Sequence, residues 1–410
     1  MAKKISPKNK TLNHKSSPVV IKDTQIKTKI FLSILSIIVS LVLVEIFLQL
    51  FYFSAQKKLF GLTPQESTLN YYDNDLLGHA LIPNQQGWFV SPTKEYYSQV
   101  TVNSDGWPDD EHVPTKEDST YRIIILGDSF VENFQVSLNQ RFFKTLEKKL
   151  NTISKQKVEI IALGRGNIGT AVQYLILQNY AAKYEPDLVV HLFFTANDIK
   201  NNSPILQNDP YLPYFTLDPQ NNLKLLPAAK RSQRKLAPLK ENLKKLKLTK
   251  IFLSLRQVYL NNHLINLNGY PQDYDIYQLD YNTQYQKAWE ITQRLILASQ
   301  NEAQNMNAKY LLVALANNEQ VNPEVWDSIL TLYPQMNPKD FDLEKPDQIL
   351  KDYCSQRDLT CFFMLPYFRE YINNHPNSAT HFRIDGHFNQ TGTNLASDFL
   401  FYKLSPFLIK

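Results

Sequence analysis

Apolar residues are spread unevenly along this chain. The longest stretch, residues 30–53, is broken only by serines, Glu45 and Gln49. At about 1.5 Å per residue, a helix of that length crosses a hydrocarbon core of roughly 30 Å. It is longer than the apolar region of a signal peptide, and no small-x-small cleavage pattern follows it. A transmembrane helix is the expected element. The alternative, a buried core helix, seldom runs so far without charge. Glu45 is the anomaly: a carboxylate there must snorkel, face a partner helix or carry a proton.

From Tyr121 onward the pattern changes. Short apolar runs at 122–126, 158–163, 188–194, 310–315 and 361–365 have the length of strands buried on both faces. Helical periodicity fills the gaps. One helix is expected after Ser137, where Ser137 and Gln140 read as a capping box, with Phe142, Phe143, Leu146 and Leu150 inward. Others are expected at about 171–182 and 283–304, the latter with Tyr285, Trp289 and Ile296 on one face. A last helix follows Thr391 and uses Leu395, Phe399 and Leu404. Strand and helix in alternation predict an α/β fold, a three-layer α/β/α sandwich with a parallel sheet. Residues 54–118 are polar and rich in Tyr and Asn, and read as a stem before a catalytic domain over 119–410. The segment at about 200–280 breaks the alternation and reads as an insertion or lid.

Charge sharpens the topology. Eight lysines and one aspartate put +7 into residues 1–29, so a net +5 leaves −2 for everything after them. Lysines ahead of an apolar span keep the N-terminus in the cytoplasm, with the remainder periplasmic or extracellular. The tail itself is expected to be disordered. Residues 230–256 carry ten Lys and Arg against one Glu. Leucines at near-helical spacing over 236–255 suggest a basic amphipathic helix, resting on anionic lipid, covering the active-site mouth, or simply solvated. Nucleic acid is not an expected partner, because this stretch lies beyond the span and lacks interleaved aromatics. The two cysteines, Cys354 and Cys361, fit a helix-to-strand disulfide or two small buried residues equally well. No metal-ligand pattern is present, and no cofactor is expected.

Four pieces of sequence carry chemistry. Gly127-Asp128-Ser129-Phe130 closes the first apolar run, where open parallel sheets place their sites. A serine hydroxyl there needs a base to become a nucleophile. Asp385-Gly386-His387 near the C-terminus offers that base and its orienter, with His381 a weaker alternative. The turn Gly164-Arg165-Gly166-Asn167 and the strand-end pair Asn197-Asp198 offer donors for a developing oxyanion: the N–H groups of Ser129 and of Gly164, Gly166 or Asn167, and the Asn197 amide. Each piece alone is an ordinary turn or cap; the order Ser…Asp…His on an α/β scaffold is what makes them informative.

Together the pieces resemble the SGNH (GDSL-type) hydrolases, and more closely their membrane-anchored branch. Residues 127–130 are similar to the family's first block and carry its serine. The glycine turn resembles the second block, Asn197 with Asp198 the third, and 385–387 the last. Asn103-Ser104-Asp105-Gly106 is also similar to the anchored branch. By motif the resemblance covers about residues 100–198 and 380–400. The chain departs from the family in placing Thr195-Ala196 where Gly usually precedes Asn, in aligning Asn167 with the second-block glycine, and in leaving one residue between Asp and His. The resemblance implies a flavodoxin-like SGNH fold and a serine esterase acting through an acyl-serine on acyl esters of envelope glycans or lipids. The alternatives are an O-acyltransferase acting on an extracytoplasmic polysaccharide and an inactive glycan-binding scaffold.

Overall fold

A computed structural model describes residues 19–56, 67–229, 243, 246–252 and 269–408. The tail before residue 19 and most of the basic stretch 230–256 lie outside the described residues. The described chain forms two units. The first holds helix α1 (Val19–Gln56) and the segment 246–252. Helix α1 begins well before residue 30, inside the sequence expected as tail. Its stretch Gln25–Leu50 is long and apolar enough to cross a membrane, and a signal sequence meets the same criteria. From Ile26 to Leu50 its apolar side chains are exposed, apart from the half-buried Leu48, which a soluble core helix does not permit. Glu45 has partners: its carboxylate accepts the backbone N–H groups of Lys247 (2.8 Å) and Leu248 (2.9 Å) and the Gln49 amide (2.6 Å). A carboxylate on an apolar span is tolerable when donors converge on it in this way. Of the basic helix expected over 236–255, residues 247–252 are helical within the described part.

The second unit is built on a five-stranded parallel sheet. Its strands are β5 (Thr120–Gly127), β6 (Lys157–Gly164), β7 (Leu188–Phe193), β10 (Lys309–Ala314) and β11 (Cys361–Phe363), in the order β11-β10-β7-β5-β6. Because side chains alternate across a strand, β5 sends Ile124 and Leu126 to one face and Ile123 and Ile125 to the other. The first face is covered by α4 (Thr170–Ile176), α5 (Asp198–Asn201), α6 (Thr283–Asn305) and α7 (Lys345–Gln356). The second is covered by α3 (Phe142–Asn151), α8 (Leu365–Asn374) and α9 (Gln390–Leu408). This is the three-layer sandwich the alternation predicts. Each buried Ile or Leu contributes about 1.5–3 kcal/mol, so both faces of β5 are strongly committed.

Two local expectations change. Ser137 does not cap α3. Residues Leu138–Gln140 form a 3₁₀ turn, and Arg141 takes extended backbone before α3 starts at Phe142. The reason is Arg141 itself: its buried guanidinium donates to the Pro108 carbonyl, which fixes the chain and breaks the turn. The cysteines, left open by their spacing, are disulfide-bonded, with Cα atoms 6.2 Å apart, and join α7 to β11.

Residues 67–118, expected as a stem, pack within the same unit as the sheet. They form two hairpins, β1 (Tyr71–Asn74) with β2 (Gly78–Leu81) and β3 (Gln86–Val90) with β4 (Tyr97–Thr101). The turn at 103–107 is closed by Asn103 Oδ1, which accepts the N–H groups of Asp105 and Trp107. Beyond it, His112 bridges Asp109 and Glu159, and burial is outweighed by these two carboxylates, so its pKa rises to about 9. Arg122, buried at the start of the sheet, pairs with the same Glu159. Charge therefore ties this segment to the sheet. From the insertion, the described part includes the hairpin β8 (Tyr214–Leu217) with β9 (Leu223–Leu226).

Candidate active site

Ser129 sits where β5 ends and the single turn α2 (Ser129–Glu132) begins. Asp128 caps that turn: its Oδ1 accepts the Phe130 N–H at 2.9 Å. The turn lies so close on β6 that a Cβ at Gly164 would fall 2.3 Å from the Glu132 nitrogen. Only glycine permits this approach, and it sets the height at which Ser129 emerges.

His387 Nε2 lies 2.7 Å from Ser129 Oγ, and His387 Nδ1 lies 2.5 Å from Asp385 Oδ1. Side chains two residues apart on an extended strand share a face but stand roughly 7 Å apart, too far for a hydrogen bond. Here Gly386, with φ +80°, folds the chain back so that Asp385 and His387 meet. Burial works against a charged His387, but the hydrogen bond and charge of Asp385, with Asp128 and Glu132 behind it, leave its pKa raised. Burial likewise opposes a charged Asp385, and the bonds from His387 and Tyr96 overcome it, leaving its pKa lowered. The histidine ring packs on Phe130, 4.8 Å between centroids. His381, the weaker alternative, is turned elsewhere. It is buried, Nε2 donates to the Ala316 carbonyl, Nδ1 meets the Thr380 hydroxyl, and burial lowers its pKa to about 4. It is a neutral packing histidine.

These groups open onto a cleft of about 460 Å³. Ser129, Gly166, Asn167, Asp385 and His387 line it, whereas Gly164 and Asn197 are not among its lining residues. Gly164 is packed under α2. The Asn197 amide nitrogen donates to Asp128 Oδ2 at 3.1 Å, and its buried Oδ1 has no partner among the described residues. The Gly166 N–H is also engaged, by Glu132 Oε2 at 3.1 Å. Asn167, at φ +60°, lines the cleft and has its side-chain oxygen held by Gln207. Of the expected oxyanion residues, Ser129, Gly166 and Asn167 line the cleft, with the Gly166 N–H engaged by Glu132.

The sequence reading missed several residues of the site. Glu132 is one turn beyond the serine and buried, and burial, only partly offset by Arg165 and Arg141, raises its pKa to about 7. A charged residue in the apolar run Phe130-Val131-Glu132 was the available signal. Tyr96 and Glu95 reach Asp385 and its backbone across nearly the whole chain, and nothing in the local sequence marks them. Among the described residues, no group of His, Cys, Asp and Glu has the arrangement of a metal site.

No protein-family model matches this chain, and no curated protein matches it. Solved structures do match. A lipase/acylhydrolase from Enterococcus faecalis shares 13% identity, covering 70% of this chain and 97% of its own, with a TM-score of 0.34. The acetyl xylan esterase AlAXEase shares 15%, covering 69% and 99%, with a TM-score of 0.37. A putative arylesterase from Agrobacterium tumefaciens str. C58 shares 12%, covering 70% and 99%, with a TM-score of 0.35. At such identities and TM-scores, the likeness carries none of their activities over to this chain.

Proposed function

We propose that this protein is a serine esterase of the SGNH type, held at a membrane by α1, which cleaves acyl esters of extracytoplasmic glycans or lipids. The observation that carries this reading is the continuous relay from Ser129 Oγ through His387 to Asp385, at 2.7 and 2.5 Å, on the wall of an open cleft. In the reaction, His387 Nε2 takes the Ser129 proton as Oγ attacks the acyl carbonyl. The negative charge that develops on the carbonyl oxygen is met by the Ser129 and Asn167 N–H groups. His387 then returns its proton to the leaving alcohol, and a water molecule, activated by the same histidine, releases the acyl group from Ser129. Asp385 holds the imidazole in the tautomer that leaves Nε2 free to accept. The lysines preceding α1 support a cytoplasmic N-terminus and a catalytic unit on the far side of the membrane.

The test is Ser129→Ala. Cleavage of short-chain nitrophenyl esters by the purified protein falls by a factor on the order of 10⁴ or more, and labelling by a fluorophosphonate probe disappears. Activity equal to wild type in this variant removes Ser129 from the mechanism. Product analysis with an acetyl donor and candidate glycans separates release to water from transfer to a sugar.

A further inference from the structure

We infer that the tip of the β3–β4 hairpin, through Glu95 and Tyr96, positions the Asp385–His387 pair, so that the segment ahead of the sheet is part of the active site and not a spacer. The inference rests on the proposed roles of Ser129, His387 and Asp385.

The loop that carries Asp385 needs outside support. Its neighbour Ile384 is 71% exposed. Within the loop, Phe382 N–H donates to the His387 carbonyl and Gly386 N–H to the Phe382 carbonyl, a closed turn with little core beneath it. The hairpin supplies what is missing. The Glu95 carboxylate accepts the N–H groups of Ile384 (3.0 Å) and Asp385 (2.7 Å). Carboxylates brought near each other by the fold ordinarily repel; here the Glu95 carboxylate accepts backbone donors, which fixes the Asp385 main chain. Glu95 is itself held by the Thr93 hydroxyl at 2.9 Å.

Tyr96 acts on the side chain. Its hydroxyl donates to Asp385 Oδ2 at 3.2 Å, while Oδ1 faces His387 Nδ1. With a donor on each oxygen, the carboxylate cannot turn about its own axis without losing both bonds. The Tyr96 ring packs on Phe382, 4.6 Å between centroids, and is 8% exposed, so the phenol is not free to follow a displaced carboxylate. The Gln135 amide reaches the same hydroxyl at 3.4 Å, from the segment directly after the turn that carries Ser129. The hairpin thus connects the segment after Ser129 with the loop of His387, and Tyr96, which also lines the cleft, acts on the reaction through Asp385 as a positioning residue.

The experiment uses full-length protein in detergent with three variants: Tyr96→Phe, Glu95→Ala and Glu95→Gln. Expected for Tyr96→Phe is a loss of about tenfold in kcat on a nitrophenyl ester, with KM within about twofold of wild type, the size of one hydrogen bond to a charged group. Glu95→Ala is expected to lose at least as much. Glu95→Gln keeps an acceptor oxygen for the Asp385 N–H and recovers most of the activity. In parallel, the low-field proton resonance of His387 Nδ1–H broadens by exchange in Tyr96→Phe and in Glu95→Ala. Wild-type kcat and an unchanged resonance in both variants overturn the inference. So does a loss of activity that tracks a lowered Tm while the resonance stays sharp. The resonance reports on the Asp385–His387 pair even if Ser129→Ala shows the esterase reading to be at fault, so the two failures are distinguishable.

Discussion

Glu132 is the residue where burial and function press hardest on each other. It stands one helical turn from Ser129, the proposed nucleophile, is 7% exposed, and its carboxylate holds the Gly166 N–H that an oxyanion could otherwise use. Burial is the largest influence on it, and the partly compensating charges of Arg165 and Arg141 leave its pKa at about 7, above an ordinary 4.5. A carboxyl group whose pKa is raised by folding binds its proton more tightly in the folded state. The stability this lends is complete below about pH 4.5 and is lost as pH rises through about 7, amounting to about 3 kcal/mol as an upper bound. Glu132→Gln carries no charge at any pH. Its Tm relative to wild type should therefore be more favourable at pH 8 than at pH 5, as read by thermal unfolding at the two pH values. An equal difference at both would place the titration elsewhere. Asp128 is pushed the same way by full burial, and beside it Asp198 further still, burial again the main cause. Asp128 caps the turn that carries Ser129, and Asp198 interacts with Asp128, so burying these acidic groups there costs the fold stability.

Among the elements, those with strong periodicity form as the sequence leads one to expect, and the exceptions have identifiable causes. The strand runs of 122–126, 158–163, 188–194 and 310–315 lie within or overlap β5, β6, β7 and β10. The last run is shortened: β11 ends at Phe363, because Pro366 opens the next helix near its first turn. The start of α3 was misplaced because Arg141 answers to the Pro108 carbonyl, a partner far away in sequence. The Cys354–Cys361 disulfide makes α7 and β11 one mechanical piece at the edge of the sheet. Replacing both cysteines by serine is expected to cost about 2 kcal/mol, the loop-closure figure for so short a loop. Denaturant unfolding of the variant against oxidised wild type measures it. A stability difference near zero would mean that the packing of β11 on β10 holds this edge without the bond.

For the molecule as a whole, the proposed anchor puts the chemistry on the far side of a membrane. If α1 is an anchor with the topology its lysines favour, full-length protein stays in the membrane fraction after alkaline carbonate washing, and a reporter fused after Leu408 is active only outside the cytoplasm. A reporter active in the cytoplasm overturns the topology. The sequence by itself determined the features that depend on near neighbours along the chain: an apolar span at 30–53, buried strands in parallel-sheet order, and the motifs at 127–130 and 385–387 that carry the proposed nucleophile and base. Local periodicity, spacing and charge are sufficient for these, because each is written in a few adjacent residues. Only the tertiary structure decided which groups meet. It turned Asn197 toward Asp128 and Gly166 toward Glu132, gave Glu45 its two backbone donors, set His381 aside, and brought Glu95 and Tyr96 against a loop nearly three hundred residues later. Such bonds are settled by competition among all the donors and acceptors that folding crowds together, and no single stretch of sequence contains both sides of that competition.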